Sequence, residues 1–187
     1  LQATGRSTIV AVEHAFHGRT AAAAAVTWGS KGRWYGFPTT PFDVRFVPRN
    51  DTTALLEAVS HDTAGVIIEP VQGVAGAFNF SPEFMKTARE VCDLHGSLLI
   101  LDEVQTGVGR LGTPFGTDAF GVIPDIMTMA KGLSSVYLPI GATAVSDRVF
   151  SDLNSEGDTG FLQINTYGGH PVSCAAAIKN LEILINE

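Results

Sequence analysis

A chain of 187 residues, 45% hydrophobic and 17% charged, has the apolar content of one globular domain rather than of a disordered segment. Twelve basic against nineteen acidic residues give a formal charge of −7, which argues against a nucleic-acid binder, since phosphate backbones are held by clustered Lys and Arg. No apolar run reaches the roughly 20 residues of a membrane helix, and the two cysteines, Cys92 and Cys174, lack metal-ligand spacing, so no membrane or metal role and a reducing, cytoplasmic location are expected.

In chain order, residues 7–12 (STIVAV) predict a strand, 14–20 (HAFHGRT) the turn leaving it, and the alanine run 21–25 a short helix. Residues 28–43, rich in Gly, Pro and aromatics, predict a long irregular loop, and VRFV (44–47) a short strand. Asp51 is placed to cap a helix carrying Leu55, Leu56 and Val59. GVII (65–68) is the next strand, followed by a Gly-rich turn, EPVQGVAG (69–76). Ser81-Pro82 starts a helix whose face of Phe84, Ala88, Val91 and Cys92 runs to a stop at Gly96. LLIL (98–101) is a buried strand, then come a loop, the strand DIMTMA (125–130), the strand GATAVS (141–146) and a short helix from Ser146 to Leu153. NSEGDTG (154–160) reads as a surface loop, and Pro171 opens a last helix with Val172, Ala175, Ala176 and Leu181 suited to burial. Strands alternating with helices at this spacing predict a three-layer α/β sandwich around a mostly parallel central sheet.

Three of these strands end in charge: GVII in Glu69, LLIL in Asp102 and DIMTMA in Lys131. The carboxyl edge of an open α/β sheet is where ligands bind, so one polar site on that edge is expected. Gly107-Val108-Gly109-Arg110-Leu111-Gly112 fits GxGxxG, but it neither follows its strand directly nor opens a helix, because Thr113-Pro114 comes next. A nicotinamide site is therefore not expected. His14 and His17 lack a third ligand of suitable type for zinc. A lysine at an apolar strand end can become nucleophilic by burial and condense with a carbonyl, while a nearby acid can keep a pyridine nitrogen protonated. The same two residues also fit a buried ion pair or two separate surface charges.

The motifs HAFHGRT, IIEPVQG, LLILDEVQTGVGR, DIMTMAKG and NTYGGHP resemble, in order and spacing, those of the class III aminotransferases, pyridoxal-phosphate enzymes of fold type I. The resemblance spans nearly the whole chain. It is nearest the acetylornithine, ornithine and 4-aminobutyrate branch, with likeness to ω-amino acid–pyruvate enzymes around YLPIGATAVSD. It implies a transaminase that moves an amino group from an ω-amino acid or amine to a 2-oxo acid through a Schiff base on Lys131. Asp102 would pair with the pyridinium nitrogen and Gln105 with the ring's phenolic oxygen. Val104 and Phe16 would cover the two ring faces, and Glu69 would orient polar groups such as Gln105. His17 would line the cofactor in a packing and hydrogen-bonding role, and His170 and Arg110 would do structural work in their motifs. Thr166 would reach the phosphate in a neighbouring subunit, which implies a homodimer. Arg19 would fork onto a substrate carboxylate.

The match also departs from the family. Val74 follows EPVQG where the acetylornithine and 4-aminobutyrate branch usually has Glu, and this favours pyruvate or glyoxylate as acceptor. In the family the phosphate-gripping Gly/Ser cup lies upstream of Leu1 and the small domain beyond Glu187. Residues 1–187 are thus expected to be the central part of the large domain, marginally stable and inactive alone. A lyase or racemase on the same scaffold, or a catalytically incomplete dimerisation module, are the alternatives.

Overall fold

The computed structural model describes residues 1–154, 160 and 164–186. Its centre is a sheet built from β1 (Thr8–Val12), β2 (Asp43–Val47), β3 (Thr63–Ile68), β6 (Leu98–Asp102), β7 (Ile126–Met129) and β8 (Ala142–Val145), in the order β2-β1-β3-β6-β7-β8. All neighbours run parallel except β7 and β8. The mostly parallel sheet is borne out, and its order explains the charged strand ends. β3, β6 and β7 are adjacent, so Glu69, Asp102 and Lys131 leave the same edge of the sheet.

Helices cover the sheet because their apolar faces have nowhere else to go. α3 (Thr52–Ala58) starts as expected, with the Asp51 carboxylate accepting from the Ala54 amide at 2.9 Å. Leu55 and Val59 are buried, whereas Leu56 is half exposed. α4 (Pro82–His95) begins with the Ser81 hydroxyl accepting from the Phe84 amide, a cap worth about 1 kcal/mol. It ends at Gly96, whose φ of +64° suits a residue without a Cβ. Phe84, Met85, Ala88, Val91 and Cys92 pack with Leu55 against Val10, Val12, Val66, Ile68, Leu99 and Leu101. Burial here pushes the Cys92 thiol up to about 12, so it is inert packing. On the other face Ile9, Ala11, Val26 and Ala64 meet Phe42, Val44 and Phe46.

Four expectations are corrected by the fold. The segment 28–43 is not wholly irregular, since α2 (Ser30–Arg33) follows α1 (Ala21–Ala25). The Gly-rich turn after Glu69 is a hairpin, β4 (Val71–Gln72) paired antiparallel with β5 (Phe78–Asn79). The loop after β6 holds α5 (Gly116–Phe120), too short to show a helical period in sequence. In α7 (Pro171–Asn186) the buried residues are Ser173 and Ala177, not Val172 and Ala175, and Cys174 is only half buried. That helix packs onto the short 3₁₀ turn Lys131–Ser134. The remaining helix, α6 (Asp147–Asn154), follows β8 as expected. Most of the loop expected at 154–160 lies outside the described residues. No helix among the described residues is long and apolar enough to cross a membrane.

Beneath the sheet's opposite edge, Asp125 ties four elements together. One of its oxygens accepts from the Leu99 amide at 2.8 Å and from Arg89 at 2.9 Å, and the other accepts from Arg148 at 2.8 Å. Burial alone would raise its carboxyl, but the Leu99 amide and the Arg89 guanidinium outweigh it and hold the carboxyl below the usual range.

Candidate active site

At the carboxyl edge β6 delivers Asp102, which is buried with its side chain 9% exposed. One oxygen accepts from the Val104 amide at 3.1 Å and the Thr128 hydroxyl at 3.2 Å, and the other meets His17 Nδ1 at 2.8 Å. Thr128 is the residue on β7 in register with Asp102, so the strand pairing itself supplies that donor. His17 leaves the turn after β1, and its backbone amide donates to Thr27 Oγ1 at 3.0 Å. Its Nε2 is buried without a partner. The imidazole is thus held through Asp102, and its role is to fix that carboxylate.

Glu69 ends β3 nearly fully buried, and its carboxylate accepts the Phe16 amide at 2.9 Å. Glu69 thus holds the backbone of the aromatic residue. Burial raises the Glu69 carboxyl above its usual value, the Asp102 charge adds to this, and the Phe16 and Gly73 amides pull against it. Ionisation therefore costs the folded state. Glu69→Gln keeps an acceptor for Phe16, so it is expected to gain stability relative to the parent as pH rises from about 4 through the raised value. Paired thermal melts across that range would check it, and a pH-independent difference would refute it.

Lys131 follows β7 and begins the 3₁₀ turn with a φ of +43°, the left-handed region that bulky residues avoid. Its Nζ donates to Gln105 Oε1 at 3.1 Å. Gln105 in turn lies so close to the β4–β5 hairpin that a Cβ on Gly73 would stand 2.2 Å from its amide nitrogen. Gly73 is where the hairpin and the Asp102–Gln105 loop touch, and a larger residue there would displace the end of the Gln105 side chain. The hairpin is anchored by the buried Gln72, which donates to the Glu13 carbonyl at 3.0 Å and accepts from Arg49 at 2.7 Å. The amide of Gln105, Val104 and Lys131 line a cleft of about 860 Å³ with Val71, Gly73 and Ala77. Val74 projects from the same hairpin, 66% exposed.

Arg19 is exposed, with its guanidinium carbon 5.8 Å from the Phe16 ring centroid and 4.7 Å from that of Trp34. Thr166 stands apart, exposed in the turn ahead of α7, and among the described residues no hydrogen bond joins it to the others. His170 and Arg110 are also exposed. The structure thus brings together Phe16, His17, Glu69, Asp102, Val104, Gln105 and Lys131, with Arg19 beside them. It adds Thr128, Thr27 and Trp34, which sequence reasoning missed. Thr128 was findable from strand register; Trp34 carries no local signal.

A buried carboxylate with spare lone pairs, an amine at a strained turn and an aromatic residue on one edge suit a site for a cationic heteroaromatic ring. The parallel sheet and this edge define the large domain of a fold type I transferase. The chain belongs to the class III aminotransferase family, whose model, described as aminotransferase class-III, matches residues 1–187. The acetylornithine aminotransferase of Methanosarcina mazei is 43% identical over 185 residues, covering 99% of this chain and 45% of its own length. That of Streptomyces coelicolor is 46% identical, covering 98% and 44%. Among solved structures, a transaminase from the marine bacterium Virgibacillus matches with a TM-score of 0.88 at 33% identity, over 95% of this chain and 42% of its own. An amine transaminase from an uncultivated Pseudomonas species, in its PLP-bound internal aldimine form, matches with a TM-score of 0.87 at 30% identity, over 97% and 46%. The chain spans about 45% of the length of the curated relatives it matches.

Proposed function

We propose that the protein containing this chain is a pyridoxal-phosphate-dependent transaminase that moves an amino group from an ω-amino acid or amine to a 2-oxo acid. The observation that carries the reading is the Lys131–Gln105 pair placed on one sheet edge with the buried Asp102–His17 pair. The residues fit the cofactor: Asp102 would hold its ring nitrogen, Gln105 its phenolic oxygen, and Val104 and Phe16 its two faces. Bound there, pyridoxal phosphate supplies an aldehyde that captures an amine and a ring that draws electrons from the substrate carbon. Asp102 keeps a proton on the ring nitrogen through its negative charge, and His17 and Thr128 fix the carboxylate that does so. Lys131 Nζ carries a proton away from the substrate carbon and returns it. Arg19, between two aromatic rings, is offered for a carboxylate remote from the reacting amine.

The span of this chain within its relatives supports reading residues 1–187 as the central part of the large domain. Thr166 is exposed in the turn that also carries Ile164 and Tyr167, which are 83% and 82% exposed. That apolar surface supports a homodimer in which Thr166 reaches the partner's site. Two unpaired cysteines accord with a cytoplasmic setting.

The test is borohydride trapping of pyridoxal phosphate on the full-length protein, with peptide mass spectrometry to locate the label. Label confined to Lys131, and absent from Lys131→Ala, is the expected result. Scattered or absent labelling on the folded protein would overturn the reading.

A further inference from the structure

The turn that begins at Lys131 carries an unusual load of left-handed backbone. Lys131, Ser135 and Val136 have φ values of +43°, +49° and +63°, and none is a glycine. Such residues persist only where the surroundings over-determine them. The 3₁₀ turn itself supplies local amide bonds, among them Val136 N–H to the Lys131 carbonyl at 3.1 Å. Local bonds alone leave the turn free to relax as a unit. Beside the buried Leu133 and Ser134, the turn's carbonyls are tied to the body of the fold from 48 residues away.

Asn180 lies in the second half of α7, a partly buried amide on the helix that packs onto the turn. Its amide nitrogen donates to the Gly132 carbonyl at 2.8 Å and to the Leu133 carbonyl at 3.2 Å. Its oxygen accepts from the Ser135 hydroxyl. One side chain therefore satisfies two carbonyls and a hydroxyl in the turn, using both ends of its amide. On the far side of the same turn, Gly132 packs against Val108 and the Gly107 carbonyl, in the loop that carries Gln105. The turn is clamped between that loop and Asn180.

We infer that Asn180 is a positioning residue for Lys131: through the Gly132 and Leu133 carbonyls it holds the strained turn that aims the lysine at Gln105. The assignment of Lys131 as the reacting amine rests on the function proposed above, but the clamp can be tested independently of it. Both donors must be present, so Asn180→Asp, which retains only the acceptor for Ser135, is expected to behave like Asn180→Leu. Ser135→Ala, which leaves the two donors in place, is expected to be milder.

The experiment uses the full-length protein and reads backbone hydrogen exchange over 131–136 together with borohydride trapping of added pyridoxal phosphate at Lys131. Asn180→Leu and Asn180→Asp are expected to speed exchange in this turn about tenfold or more, as for the loss of two hydrogen bonds, with β3 and β6 unchanged. Trapping at Lys131 should slow in parallel, and Ser135→Ala should fall between these variants and the parent. Unchanged exchange in the turn of either Asn180 variant would overturn the inference. So would faster exchange spread evenly over β3 and β6 in Ser135→Ala as well as in both Asn180 variants, since Asn180 would then serve general stability. If the parent's Lys131 is not trapped at all, the proposed function fails while the exchange result still decides the clamp.

Discussion

Asp102→Asn is expected to lower kcat/KM for transamination by the full-length protein at least about 10²-fold, the scale of losing one preorganised charge at a reacting centre. Asparagine matches aspartate in shape, and its side-chain oxygen still accepts from the Val104 amide and the Thr128 hydroxyl. The His17 ring nitrogen that faces the second oxygen can accept from an amide as readily as it donates to a carboxylate. Folding should therefore survive, with a melting temperature within a few degrees of the parent. What is lost is the negative charge, buried where water screens it little, and an amide cannot hold a proton on a ring nitrogen. Thr128→Val, which removes one neutral donor and no charge, is expected to cost less than about tenfold. Initial rates at saturating pyridoxal phosphate and 2-oxo acid would measure both. A parent-like rate in Asp102→Asn would remove Asp102 from the chemistry.

The second large effect is on stability. Asp125→Ala leaves the buried Leu99 amide without its acceptor and takes one of three acceptors from Arg89, which keeps Asp93 and the Ile123 carbonyl. Arg148 is half exposed and finds water instead, so it adds little. Stranding the buried amide and weakening the Arg89 pair together cost about 3 kcal/mol. In a chain of this size that is a fall of roughly 10 °C in Tm. The pH dependence has a definite sign. The folded carboxyl lies below its unfolded value, so its contribution is complete above about pH 4 and is lost as pH falls through the depressed value. Melting the parent and Asp125→Ala side by side should show a constant gap at neutral pH that closes in acid. A gap that widens in acid would contradict the assignment.

Much of this was legible along the chain because the signals are local. A run of apolar residues ending in an acid reads as a buried strand with a polar tip, and LLILD does so without its neighbours. Ser81-Pro82 and Gly96 mark the ends of α4 through backbone geometry that single residues impose. The ordered motifs placed Lys131, Asp102, Gln105 and Phe16 at one site, and the adjacency of β3, β6 and β7 accounts for why such tips converge.

Other features have no local signature. The β4–β5 hairpin is two residues deep on each side and looks like a turn until its partner strand is in place. Glu69 meets the Phe16 amide because the end of β1 lies beside β3, a neighbour 53 residues away. The same holds for α7, where helical periodicity alone favoured Val172 and Ala175 for burial. The structure instead buries Ser173 and Ala177, because which face of α7 is covered is set by its neighbours in the fold. By itself, then, the sequence determined the family and the strand tips, because residue type and short-range order decide those. Only the tertiary structure decided who holds whom: His17 on Asp102, Glu69 on Phe16, and Asn180 on the turn of Lys131. Those pairings depend on strand order and helix packing, which bring together residues that no short stretch of sequence contains.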